Sequence, residues 1–252
     1  MRGLHKVVVL LVAASALLGA ACQPQEFQSW WVQQGNEPLA EPGLSRAAEG
    51  ATRFWAEVAR RSRFTHSVAG IDPALAARMT PASWRPGCPV SLAELRLVTL
   101  SHMDFRGAER TGQLVVHRNA VDVTVAMFRA MWEEGFPIHS MRLIDEFGGS
   151  DAASMEANNT SAFNCRTVAG TTRFSEHAWG TAIDVNPVQN PYVSSAGVEP
   201  AAGAPYVDRS NVRAGMLVEG GAAINVVDFV GWGWGGRWRS VKDYQHVSAS
   251  GR

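Results

Sequence analysis

Lysine is nearly missing from this 252-residue chain: Lys6 and Lys242 are the only two, and arginine supplies the remaining basic charge. The bias reads most simply as a GC-rich genome. Basic and acidic residues cancel to a formal net charge of zero. A balanced chain gives no electrostatic argument for nucleic acid or an anionic surface as partner. Cysteine is scarce as well, with Cys22, Cys88 and Cys165 alone. No two of them stand in Cys-x-x-Cys spacing, which argues against a cysteine-held zinc module. No internal repeat is present. The longest apolar run, residues 7–21, has about 15 residues where a membrane-spanning helix needs about 20. Such a chain suits one globular domain of up to about 200 residues plus extras.

The short apolar run follows Arg2 and Lys6 and has Ser15 as its only polar residue, the layout of a secretory signal over residues 1–21. It ends in "LLGAACQ", which resembles a bacterial lipobox in which the cysteine is acylated, here Cys22. The usual leucine three residues before the cysteine is replaced by Gly19, with Leu18 one place earlier. Lipidation at Cys22 and plain secretion are both open, and either puts the mature protein outside the cytoplasm. In an oxidising compartment the remaining pair, Cys88 and Cys165, suggests one disulfide, the alternative being two buried free thiols.

Residues 22–45 mix Gln, Pro, Gly and Glu and are expected to be a tether. Residues 46–85 are expected to be an N-terminal helical extension, with Ala48, Phe54, Trp55 and Val58 as a rough apolar face, and 86–252 the main domain. Within the latter, "LRLVTLSHMDF" and "QLVVH" read as strands joined by a turn. "NAVDVTVAMFRAMWEEGF" reads as a helix started by Asn119 and stopped at Gly135. "PIHSMRLI" is strand-like, residues 145–174 form a long polar loop, "TAIDVN" alternates as a strand, and the chain closes on a glycine–tryptophan corner and a terminal strand. The fold class is α+β, mainly antiparallel sheet with flanking helices.

The chemistry concentrates in "SEHAWGTAID" at residues 175–184. Gly180 should break a helix between His177 and Asp184, leaving a loop that runs into a strand. On that strand Ala182, Asp184 and Asn186 share one face, while Ile183 and Val185 point into the core. A carboxylate among apolar neighbours is costly to bury unless paired or metal-bound. The chain ends with Asp243-Tyr244-Gln245-His246. Two histidines and a carboxylate are a standard zinc set with a fourth position left for water. Taken singly, each piece has a bland reading: His177 as a turn residue, Asp184 satisfied by backbone donors.

The pattern Ser-x-His-x-x-Gly-x-Ala-x-Asp resembles the first metal motif of the zinc D-alanyl-D-alanine carboxypeptidase family, which includes vancomycin-resistance peptidases and phage L-alanyl-D-glutamate endolysins. "WGWGGRWRSVKDYQH" resembles the closing motif of the endolysin-like branch, and "NNTSAFNCR", "IDVNPVQNPY" and "YVDR" are similar to that branch too. The resemblance spans residues 86–246. It implies zinc on His177, Asp184 and His246, in a cleft over the sheet, with Asp243 as general base. Related sequences usually carry phenylalanine after the last histidine, where this chain has Val247, a difference that touches packing. It further implies an arginine that polarises a carbonyl or holds a substrate carboxylate, a role for which Arg166 and Arg142 compete, Arg166 being favoured because its loop leads into the metal motif. Ser175 is a candidate substrate contact, or else a cap beside the ligands.

His102 and His139 lack a second ligand at short spacing and read as structural. Trp232, Trp234 and Trp238 can form a sugar-stacking platform or pack the cleft floor. The leading expectation is a monomeric, envelope-located zinc peptidase that cuts peptidoglycan peptides, touches the membrane only through its lipid, and has no nucleic-acid partner. A non-hydrolytic binding module of the same fold is the alternative. Loss of Asp243 or a ligand would favour it, and all four residues are present. A peptidase acting on a non-wall peptide is a third reading.

Overall fold

The computed structural model describes residues 63–251, together with Ser29, Val32 and Gln33. The expected signal, Cys22, nearly all of the tether and the part of the expected helical extension before residue 63 lie outside the described residues. No described helix is long and apolar enough to cross a membrane.

One sheet runs in the order β1-β2-β3, with β1 at His66–Gly70, β2 at Leu95–Met103 and β3 at Glu109–His117, all antiparallel. Period-two alternation divides its side chains between two cores. Val98, Leu100, Leu114 and Val116 enter the larger one, whereas Leu95 and Val115 enter the smaller. Helix α1 (Pro73–Met79), capped by the Asp72 carboxylate on the Leu75 amide, adds Leu75 and Met79 to the smaller core. The boundary expected at residues 85/86 is therefore corrected. Residues 66–79 supply an edge strand and a core helix to the same compact unit, which begins at Phe64.

Helix α2 (Val121–Glu134) covers the other sheet face with Phe128, Met131 and Trp132, each about 1 % exposed, and ends at Gly135 in the left-handed region, as its pattern predicts. Its start differs from expectation: the ring of His117, rather than Asn119, serves as cap by accepting the Asn119 amide, and a 3-10 turn at Arg118–Ala120 leads into the helix.

The strand expected over residues 137–144 shortens to β4 at Ser140–Met141, paired in parallel with β5 at Asn159–Thr160. The Asn159 side chain takes over the neighbouring backbone: its Oδ1 accepts from the Arg142 amide and its Nδ2 donates to the Arg142 carbonyl. The long loop before the metal motif holds its own helix, α3 at Asp151–Glu156, and is pinned by the Cys88–Cys165 disulfide. That pairing is the one anticipated from the cysteine count. It ties the segment after α1 to the "FNCR" stretch, and Cys165 itself is buried in the smaller core.

The rest of the chain builds two small antiparallel sheets. One has the order β6-β11-β9 (Ala182–Asp184, His246–Ser248, Gly233–Trp234), the other β10-β7-β8 (Lys242–Asp243, Tyr192–Ser194, Gly197–Glu199). Between β8 and β9, helix α4 (Ala222–Phe229) packs Ile224 and Val227 into the larger core. Ile183, Val185 and Val247 enter that core from beneath β6 and β11, so the sheet that carries the site rests on the main core. The expected α+β class, with antiparallel sheets and flanking helices, is the observed one.

Candidate metal centre and its cleft

The pairing of β6 with β11 sets His246 directly opposite Asp184. Opposed residues of an antiparallel pair share a face, so imidazole and carboxylate meet: His246 Nδ1 lies 3.0 Å from Asp184 Oδ1. His177 arrives from a 3-10 turn, Glu176–Trp179, capped by the Ser175 hydroxyl, which accepts the His177 amide at 3.4 Å. Gly180 ends this turn at φ 69°, where a Cβ would stand 2.6 Å from the His117 amide nitrogen; only glycine permits both the turn and that approach. His177 Nε2 then lies 3.1 Å from Asp184 Oδ2 and 3.2 Å from His246 Nδ1.

The protonation of His177 follows from its other nitrogen. Nδ1 is 2.6 Å from the Ala162 carbonyl oxygen, which can only accept, so Nδ1 carries the proton. In the neutral ring the Nε2 lone pair faces the Asp184 carboxylate and the His246 ring. One ligand atom from each of the three residues lies within 4.8 Å of the others, and all three side chains are buried. Electron-rich atoms converging in a buried site are what a cation relieves, and two imidazoles with one carboxylate match zinc. Burial opposes the charge on Asp184, yet the two imidazoles bonded to it hold its carboxyl well below the usual carboxylate range.

Asp243 reaches the same place from another sheet. It belongs to β10, and the chain crosses to β11 within Tyr244 and Gln245, where the Tyr244 amide donates to the Pro191 carbonyl and the Gln245 carbonyl accepts from Val185. Three residues therefore suffice to bring Asp243 and His246 to one point from different directions. Gly235 lies behind Asp243, since a Cβ there would stand 2.8 Å from that of Asp243. Asp243 Oδ1 is shielded from solvent and has no hydrogen-bond partner among the described residues. Burial, with Asp184 nearby, pushes its carboxyl up to about 6 despite the opposing histidines.

The sign of that shift gives a test in metal-free protein. Between about pH 4 and pH 6 folded Asp243 keeps a proton that the unfolded chain has released, so its contribution to stability falls as pH rises through this window. Metal-free Asp243→Asn is expected to melt above metal-free wild type at pH 7 and level with it below pH 4. An equal gap in melting temperature at both pH values refutes the burial argument.

These groups lie in a cleft of about 570 Å³. Arg166 lines it, held by Asp151 at 2.7 Å, with its Nε buried and unpaired. Arg142 does not line it. Its guanidinium lies over the Phe147 ring and pairs with Glu146 at 3.6 Å, and of the two arginines expected to contact substrate Arg166 is the one that faces the cleft. Arg173, which the sequence reading passed over, lines the cleft as well. Ser175 both caps the histidine turn and borders the cleft.

The tryptophans divide. Trp234 is buried and donates to the Tyr244 carbonyl, Trp232 packs against the larger core, and Trp238 lines the cleft with its ring 5.5 Å from that of His246. Asn186 turns away from the metal face: its Oδ1 accepts the His139 amide and its Nδ2 donates to the Pro137 and Gly215 carbonyls. Its φ of 44° shows where β6 has ended, which is why the expected alternation fails there. His102 is buried at the end of β2, with Nδ1 beside the Met103 carbonyl, and His139 is exposed. Neither belongs to the metal-facing cluster.

Residues 169–249 match the family model described as D-alanyl-D-alanine carboxypeptidase. The matched stretch holds His177, Asp184, Asp243 and His246. No curated protein and no solved structure matches the chain.

Proposed function

We propose that the protein is an extracytoplasmic zinc metallopeptidase that hydrolyses peptide bonds in peptidoglycan stem peptides, held at the envelope through a lipid on Cys22. The observation that carries this reading is the convergence of His177, Asp184 and His246 at one buried point, with the unpartnered oxygen of Asp243 beside them in an open cleft. The matched family stretch over residues 169–249 supports the same chemistry.

His177 Nε2, His246 Nδ1 and the Asp184 carboxylate would hold the ion. When bound, zinc supplies Lewis acidity, which polarises a carbonyl and makes water nucleophilic near neutral pH. The remaining work falls to the chain. The Ala162 carbonyl fixes the tautomer and orientation of His177. Asp243, raised towards neutrality by burial, accepts the proton of the attacking water and delivers it to the departing amine nitrogen. Arg166, oriented by Asp151, offers N–H donors to a substrate carbonyl or carboxylate. Trp238 lines the cleft beside the His246 ring.

The test is mass spectrometry of defined muropeptides incubated with zinc-loaded protein. Cleavage at one peptide bond, abolished by chelation and restored by zinc, is the expected result. Intact muropeptides under all conditions would favour the non-hydrolytic binding module.

A further inference from the structure

The sheet β10-β7-β8 places three side chains in one row across its strands. Asp243 is opposite Tyr192, and Tyr192 is opposite Glu199. Opposed residues share a sheet face, and all three line the cleft. The row runs from Asp243, half-buried beside the metal-facing cluster, through half-buried Tyr192 to exposed Glu199 at the mouth.

The cleft carboxylates differ in how they are engaged. Asp151 is paired with Arg166, Glu176 accepts from the Thr181 hydroxyl, and Asp184 is bonded to both histidines. Glu199 forms no ion pair or hydrogen bond through its side chain with any described residue. Its charge therefore stands available to whatever enters along the β7–β8 hairpin.

The direction of the reaction says what that is. Under the peptidase reading, Asp243 hands its proton to the amine nitrogen, so the residue bearing that nitrogen must lie against Asp243 and continue along the wall that Asp243 shares with Tyr192 and Glu199. Glu199 is two strands away, a separation of about 10 Å. The four-carbon stem of a lysine-like side chain, met by the length of the glutamate side chain, spans that gap, with its methylenes along the Tyr192 ring.

We propose that the β7–β8 hairpin is the wall of the amine-side subsite and that Glu199 selects a substrate whose residue on that side is a diamino acid carrying a second ammonium. This rests on the peptidase reading and narrows it: a bond followed by a bare alanine leaves Glu199 unused, whereas an internal bond followed by a cationic residue engages it.

The probes are N-acetyl-alanyl-lysine and its Nε-acetyl-lysine counterpart, each with D- and L-lysine, compared on zinc-loaded wild type and Glu199→Gln. Wild type is expected to prefer the free lysine peptide by about fivefold in kcat/KM, the modest size suited to a partly solvated ion pair. Glu199→Gln should bring that ratio to about one, with zinc content and melting temperature confirming the fold. Calorimetric titration with lysinamide and Nε-acetyl-lysinamide should give the same preference and the same loss. Equal ratios for wild type and variant in both assays overturn the proposal. If none of the peptides is cleaved yet the titration keeps its Glu199-dependent preference, the peptidase reading fails and the cation subsite stands.

Discussion

Asp243→Ala is expected to retain about one zinc per chain while turnover of a peptidoglycan peptide falls by about 10³- to 10⁴-fold, the upper part of the range for a general acid–base group. The upper part applies because one carboxylate serves both proton transfers, uptake from water and delivery to the leaving nitrogen. Retention of metal follows from geometry: Asp243 sits on β10, in a different sheet from Asp184 and His246, and the three metal-facing residues contact one another without it. Paired metal analysis and single-turnover kinetics check both parts. A zinc-free variant, or one that cleaves within tenfold of wild type, defeats the assignment.

The second large effect is loss of the ion itself. His177→Ala, Asp184→Ala and His246→Ala should each drop zinc from about one per chain to under a tenth after dialysis, with activity falling in parallel. Removing groups that merely orient ligands already weakens metal binding about 10- to 100-fold, and removal of a ligand from a three-residue set should exceed that. Asp184→Ala carries a further consequence, because it takes away the carboxylate that bridges both rings and leaves two imidazoles facing each other across a buried gap. Plasma emission spectrometry on the three variants decides the point, and full occupancy in any of them removes that residue from the ligand set.

Local pattern carried much of this protein. The alternation in β2 and β3, the apolar spacing of residues 121–134 and the glycine at 135 report the direction of neighbouring side chains, which depends only on backbone period. The spacing of His177, Gly180 and Asp184 was legible for the same reason: a turn that only glycine can end, followed by a strand, leaves few places for the two side chains. Cys88 and Cys165 could be paired because no other partner remained once Cys22 was assigned to the N-terminus.

What no local pattern could decide was register between segments far apart in the chain. Residues 66–79 read as an extension because nothing nearby shows that β1 pairs with β2. Arg166 was favoured over Arg142 only because its loop leads into the metal motif; that Arg142 lies over the Phe147 ring and pairs with Glu146 while Arg166 lines the cleft is a matter of packing. Tyr192 and Glu199 carry no motif of their own; their place beside Asp243 exists only through the pairing of β7 with β10 and β8. Local sequence, together with the resemblance its motifs carry, thus pointed to the side chains proposed to bind a metal and move a proton. Tertiary pairing, which brings Asp184 opposite His246 and Tyr192 opposite Asp243, decided where they meet and what else lines the cleft, because cross-strand partners are chosen by burial and packing over the whole core.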